Sequence, residues 1–231
     1  MKKTSVTKKF TCEFCNRAFA RETTLLSHSC EPKRRWNDRD SAPNRIGLQC
    51  WHNFYAKNTV SKKKKTYMDF IKSAYYSAFV KFGLYCVNVA VINPLRYSDW
   101  LLENSISVDD WCQDSNYTRY LVEYLKAEDP FDAIARSIET TLKLSRQEGL
   151  VTNDYLRYGN KNKICYEITA GRISPWMLYQ SESGQNLLDS LDESQVRSVF
   201  EYIDPEKWAV KFKRYPDVVK QINALLTEAG Y

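Results

Sequence analysis

Residues 10–30 read FTCEFCNRAFARETTLLSHSC, and the spacing inside this stretch decides how the rest of the chain divides. Cys12 and Cys15 form a C-x2-C pair, which sets two thiolates on one side of a tight knuckle. Twelve residues then separate Cys15 from His28, room for a strand return and about two or three helical turns. The apolar positions agree independently: Phe10 precedes the first cysteine by two, Phe19 follows the second by four, and Leu25 precedes His28 by three. Ligand spacing and core spacing coincide, which favours a metal-binding unit over four unrelated reduced side chains. Segments this small rarely order without a metal or a disulfide.

These positions resemble the C2H2-type zinc finger, in which Phe10, Phe19 and Leu25 would form a miniature core under a ββα fold holding Zn2+. The resemblance covers 21 of the 231 residues and departs from the family at one point. The family sets its fourth ligand roughly four to six residues after the first histidine; here the next candidate, Cys30, follows by two. Two residues turn an α-helix by about 200°, so both side chains reach one ion only if the helix unwinds directly after His28. Glu31-Pro32 suits such an ending, because the residue before proline avoids helical geometry. The preferred ligand set is Cys12, Cys15, His28 and Cys30, with Cys50-Trp51-His52 as a reserve source of the fourth ligand. The resemblance also implies that Arg21, Thr24 and Ser27 face a DNA major groove, with Arg21 suited to guanine and the other two weak readers. One finger spans about three base pairs, too short an address by itself. Help in docking is the expected role, on nucleic acid or, as the rival reading, on protein.

The charge supports the first. Residues 1–72 hold 17 Lys/Arg against 6 Asp/Glu, while residues 73–231 hold 17 against 22. A basic arm on a mildly acidic body is a layout that touches nucleic acid with one end; the rival is a solvated basic tail. Within the arm, residues 1–9 are a basic tail and residues 32–65 a basic connector carrying Lys33, Arg34, Arg35 and the run Lys62, Lys63, Lys64, Lys65. Such clusters give salt-dependent, sequence-tolerant phosphate binding. Trp36, Trp51, Phe54 and Tyr55 between them offer stacking on unpaired bases, though for Trp51 and Phe54 a core role is the stronger reading.

From Thr66 to Tyr231 the signals are helical, so the fold class is mainly α: a small N-terminal ββα finger, a basic connector and a multi-helix C-terminal domain. Apolar residues at 67, 70, 71, 74, 75, 78, 79 and 82 form a helical stripe. Val87, Val89, Val91 and Ile92 fit either a short strand or a buried helix end. Pro94, Pro130 and Pro205 open new helices behind Asn93, Asp129 and Asp204; Pro216 opens another, and Gly149 and Gly230 close two. With seven glycines and seven prolines the chain lacks the turns of a sandwich.

Catalytic classes find little support. Only His28 and His52 exist, and no phosphate-loop, dinucleotide or nucleophile-elbow motif occurs. Asp109, Asp110 and Asp114 read as helix caps and a solvated loop before they read as nuclease carboxylates. Cys86, Cys112 and Cys165 lack histidine partners and read as buried thiols. The expectation is no enzyme. The longest mostly apolar stretch, LYCVNVAVI at 84–92, falls far short of the roughly 20 residues that span a bilayer, and no secretory segment opens the sequence. A cytoplasmic protein is expected, in the host cytoplasm if the chain is of phage origin.

INPLRYSDWLLENSISVDDW (92–111) and KICYEITAGRISPWMLY (163–179), in that order, resemble segments of the helicase-loading protein of T4-type phages. The likeness is one of segment order and apolar pattern over roughly 140 residues, and it departs at the N-terminus, where a finger replaces a helical DNA-binding domain. It implies a replication accessory that binds forked DNA and a protein partner on the helical body. The expected function is thus a non-enzymatic nucleic-acid-binding adaptor, DNA before RNA; the alternative is an assembly subunit whose finger docks on protein.

Overall fold

The computed structural model describes residues 10–58 and 65–231, and its contacts divide the chain into two compact units after Tyr117. The fold is mainly α, with one small hairpin at the N-terminal end of the described residues.

In the first unit, β1 (Phe10–Thr11) pairs antiparallel with β2 (Ala18–Phe19), Phe10 opposite Phe19. Three helices follow: α1 (Glu22–Ser27), α2 (Glu31–Asn37) and α3 (Ala42–Asn58). The stretch read from its charge as a connector is therefore helical over most of its described length. Its charges masked an inward face. Arg45 and Lys57 stand exposed on α3, while Asn44, Gly47, Cys50 and Trp51 are buried at helical spacing.

That face meets α5 (Tyr76–Val89) at a crossing of two glycines. A Cβ on Gly83 would lie 2.0 Å from the Pro43 carbonyl oxygen and 3.1 Å from the Gly47 nitrogen. A Cβ on Gly47 would lie 2.6 Å from the Phe79 carbonyl oxygen. Only glycine lets the two backbones come this close. Trp51, Phe70, Phe79, Phe82, Tyr97 and Trp111 fill the space around the crossing, all buried. Trp111 takes Phe82 and Phe79 edge-on at 5.1 and 5.4 Å, and its indole N–H donates to the Ile106 carbonyl.

The apolar stripe beginning at Tyr67 predicts one helix, but the structure interrupts it. α4 (Tyr67–Ile71) starts on a capping box between Thr66 and Asp69, and residues 72–75 then turn before α5 begins. Ser73 explains the break: its hydroxyl oxygen accepts the Tyr75 amide at 3.1 Å and the Trp51 indole N–H at 3.2 Å, an alternative to helical bonding. The Val87–Ile92 stretch resolves as a helix end, with Ala90 left-handed at φ 55°. α6 (Pro94–Glu103) begins on Asn93, whose side chain accepts the Arg96 amide. A 3-10 turn at Val108–Asp110 leads to α7 (Asp114–Ala127), inside which the division between units falls.

The second unit contains α8 (Pro130–Glu148), α9 (Tyr155–Tyr158), α10 (Lys161–Thr169), α11 (Pro175–Gln180), α12 (Glu182–Asp189), α13 (Glu193–Ile203), α14 (Pro205–Arg214) and α15 (Pro216–Glu228). Asp129, Asp192 and Asp204 cap three of these starts with their carboxylates, and Gly149 ends α8 at φ 68°. Ile134, Leu156, Ile164, Ile168, Trp176 and Val199 lie in its core. No helix among the described residues is long and apolar enough to cross a membrane.

Candidate metal centre

The knuckle between β1 and β2 is a backbone construction. The Cys12 amide donates to the Arg17 carbonyl at 2.9 Å, and the Asn16 amide donates to the Cys12 carbonyl at 2.8 Å. Asn16 takes the left-handed φ of 59° that the turn needs, a conformation asparagine tolerates better than most side chains. Cys12 is thereby buried and Cys15 brought alongside it.

The far half of the site meets the demand set by the two-residue spacing. α1 is only six residues long and stops at Ser27; His28 is already extended at φ −69°, ψ 124°. Cys30, also extended, is the N-cap residue of α2, and Pro32 lies in that helix's first turn. Proline here opens the next helix as well as following the end of the last. The Phe19 ring lies 4.7 Å from the imidazole, and Lys33 donates to the His28 carbonyl at 3.1 Å.

The four ligand atoms lie within 4.8 Å of one another, with Cys12 Sγ to Cys30 Sγ at 3.9 Å and Cys15 Sγ to His28 Nε2 at 3.3 Å. Metal bonds of about 2.3 Å to sulfur and about 2.0–2.1 Å to nitrogen, arranged tetrahedrally, separate two sulfurs by about 3.8 Å and sulfur from nitrogen by about 3.5 Å. The observed gaps fit that geometry, so these residues can hold a metal ion. Four protein donors would complete a tetrahedron and leave no open position, the arrangement typical of structural sites. Burial acts to raise the Cys12 thiol, but the amides of Cys15 and Phe14 and the adjoining thiols bring it below its ordinary value. Burial and the neighbouring sulfurs hold Cys30 above its own.

The reserve ligands lie elsewhere. Cys50 is fully buried in α3, its sulfur 3.8 Å from the Pro94 carbonyl and its thiol pushed up to about 12 by burial. His52 is exposed two residues on, beside the Trp51 ring. Among the described residues, Cys12, Cys15, His28 and Cys30 form the only such group of three or more donors. Asp109, Asp110 and Asp114 do not converge: Asp110 accepts the Gln113 amide at 2.6 Å and Asp114 the Tyr85 hydroxyl at 3.0 Å.

The positions expected to face nucleic acid fall into three sets. Arg21, Thr24 and Ser27 are exposed on or beside α1. Of the basic triplet, Arg34 stands exposed, but Lys33 is tied to the His28 carbonyl and Arg35 is built into the fold. The Arg35 guanidinium donates to the Ile71 carbonyl at 2.6 Å, pairs with Glu31 and lies 4.2 Å over the Tyr76 ring. Lys62, Lys63 and Lys64 lie outside the described residues; the Lys65 ammonium sits 4.4 Å from the Tyr55 ring centre and 5.7 Å from that of Trp51.

Sequence reasoning missed how the finger is attached. Phe14, on the knuckle, meets Trp36 at 5.9 Å; Trp36 meets Tyr67 at 5.6 Å; Tyr67 meets Phe70 at 5.8 Å; and Phe70 meets Trp51 at 5.2 Å. The Tyr67 hydroxyl donates to the Arg35 carbonyl at 2.8 Å. This aromatic ladder joins the metal site to the core of the first unit. The available signal was Trp36, a large aromatic in otherwise polar sequence.

Neither a family model, nor a curated protein, nor a solved structure matches this chain. The likeness to phage helicase-loading proteins therefore has no family match behind it, and the two segments that carried it supply core: Tyr97, Trp100, Leu101 and Trp111 in the first, Ile164, Ile168, Trp176 and Met177 in the second are all buried. The apolar pattern of these segments is thus a pattern of burial.

Proposed function

We propose that the protein is a non-enzymatic adaptor that binds nucleic acid through its N-terminal finger and basic segments, with zinc as the metal and the helical body engaging a protein partner. Zinc is favoured by the donor set, three thiolates and one imidazole in a closed tetrahedron. The observation that carries the binding reading is the face of the finger. Arg17, Arg21 and Arg34 are exposed and, among the described residues, form no ion pair with a carboxylate, around a helix that turns Thr24 and Ser27 outward. The excess of 17 cationic over 6 acidic residues in positions 1–72 supports it. Phosphate binding dominates in such a surface and base reading is minor. DNA is favoured over RNA by the resemblance of the finger. A replication accessory at a fork is the most concrete form of the reading, and it rests on the resemblance of the two body segments.

Fluorescence anisotropy with duplex, forked and single-stranded DNA and with RNA, at two salt concentrations, tests it. Binding should weaken steeply with salt, and Arg21→Ala with Arg34→Ala should flatten the slope by up to about 1.8 on duplex DNA. Equal affinity for forked and unforked probes refutes the replication-fork version; no binding to any probe at low salt refutes the nucleic-acid reading altogether. One observation favours the second reading, docking on protein: Leu26 is 72% exposed on the finger helix. That reading expects salt-insensitive partner retention that is lost in Leu26→Ser.

A further inference from the structure

The second unit carries a cleft of about 430 Å3 whose lining is cationic and aromatic. α14 builds most of it. Lys207, Lys211 and Arg214 recur at i, i+4 and i+7, so they stand along one face over about 10 Å of helix. Buried Trp208 lines the cleft beside them, and Lys126 from the end of α7 adds a fourth positive charge. Tyr215, 44% exposed, stands at the rim with the Arg214 guanidinium 5.6 Å from its ring centre.

Helix-terminal cations often only complement the backbone dipole. Here they do more than that. Lys207 lies in the first turn, where a cation opposes the dipole, held there by Asp204 at 2.8 Å. Lys211 is drawn into the cleft floor: its ammonium donates to the Lys126 carbonyl at 2.6 Å and lies 4.8 Å from the Trp208 ring centre. Burial holds that ammonium below its ordinary pKa, the nearby Glu128 opposing, so an anion brought to it would relieve a desolvated charge. Glu128 is itself occupied by a two-pronged pair with Arg136. Among the described residues, Lys126 and Arg214 pair with no carboxylate. The result is a concave site with fixed and free cations and one exposed ring, in a unit whose net charge is otherwise acidic.

The geometry points to a second nucleic-acid contact: the α14 cleft takes single-stranded nucleic acid, with phosphates on Lys126, Lys207 and Arg214 and a base stacked on Tyr215. The inference rests on the nucleic-acid reading above and adds a site that the sequence reading did not contain. Single strands are favoured over duplex because an aromatic platform serves only an unstacked base, and the cleft is of a size that encloses a small ligand unit. An acidic peptide would use the same cations but has no need of the exposed ring.

Anisotropy on the full chain tests this with a single-stranded DNA oligomer, a matched duplex and polyglutamate as competitor. Lys207→Gln with Arg214→Gln should flatten the single-strand salt slope by about 1.4, two contacts at about 0.7 each. Tyr215→Ala should weaken single-strand binding at least about fivefold, while Tyr215→Phe, which keeps the ring, should not. Photocrosslinking with an iododeoxyuridine oligomer should map to Tyr215, and unchanged circular dichroism guards against misfolding. If the wild type binds but these variants leave slope, affinity and crosslink unchanged, the cleft assignment falls and the finger reading stands. If polyglutamate displaces the oligomer and Tyr215→Ala has no effect, the occupant is an acidic peptide and the assignment is overturned. If the wild type binds no probe at low salt, both readings fall.

Discussion

Replacing Gly83 by alanine sets two effects against each other, and the structure says which wins. Alanine is favoured over glycine in a helix interior by about 1 kcal/mol, so on propensity alone the variant should be more stable. The added Cβ, however, would sit 2.0 Å from the Pro43 carbonyl oxygen, which is backbone and cannot rotate away. Opening that gap to a tolerable contact means separating α3 from α5 by about 1 Å, in a core packed too densely to absorb it. Overpacking costs typically run to about 3 kcal/mol, so the net loss should be about 2 kcal/mol. For a unit of this size that lowers the melting temperature by roughly 8–16 °C. Near-ultraviolet circular dichroism on heating is the assay, because Trp51, Trp100 and Trp111 report the first unit from around this crossing. Gly149→Ala is the control: its φ is 68° but nothing lies within 4 Å, so only backbone strain is added, in the second unit. A Gly83→Ala protein as stable as wild type would mean that α3 and α5 do not touch through their backbones, and the first unit would have to be reassembled.

Three further outcomes are expected. Cys30→Ser should lose most bound metal while Cys50→Ser keeps one ion per chain, measured by elemental analysis of the purified proteins; the reverse would return the fourth ligand to α3. A chain starting at Thr66 should lose the near-ultraviolet signal of the first unit, since it lacks α3 with Cys50 and Trp51, whereas one starting at Asp114 should keep the helical signal of the second; a native-like spectrum from the longer piece would contradict the packing. Burial acts to raise the Glu148 carboxyl, but Lys163, the Asn160 amide and the Tyr155 hydroxyl together hold it below its ordinary value. Its stabilising contribution is therefore complete above the unfolded glutamate range and lost as pH falls below about 4.3 through the lower folded value. Glu148→Gln should accordingly reduce the steepness of acid unfolding of the second unit, and an unchanged profile would show that the Lys163 pair has no linkage to folding.

The finger and the helix starts were readable because their causes are local. Cys12, Cys15 and His28 declare themselves by spacing, and the proline openings at 94, 130, 205 and 216 match helices that begin at those residues. What stayed hidden depended on partners far away in sequence. Gly47 and Gly83 look like weak points in two helices until the chain brings them together. Arg35 looks like a phosphate ligand until Ile71 and Tyr76 are placed around it. The break at Ser73 needed the Trp51 indole to make its hydroxyl worth more to the turn than to a helix. The α14 cleft could not be read at all, since Lys126 is 81 positions from Lys207 and their meeting is purely tertiary.

The attachment of the hairpin and α1 changes what a metal on the cluster would do. Cys30 is at once a candidate ligand and the N-cap residue of α2, so an ion on the cluster fixes where that helix begins. α2 in turn carries Trp36, which bridges Phe14 to Tyr67, and Arg35, which reaches the Ile71 carbonyl and the Tyr76 ring. Without an ion Cys30 would lose that tether, and with it the register of both latches against α4 and α5. A bound metal would therefore orient a helix against α4 and α5 as well as order its own small core. A finger hung on a flexible tether would present Arg21 over a wide arc and lose entropy on every encounter. One braced by an aromatic ladder holds Arg21 and Arg34 in a fixed relation to the first unit, so a ligand reaching them would meet a preorganised surface.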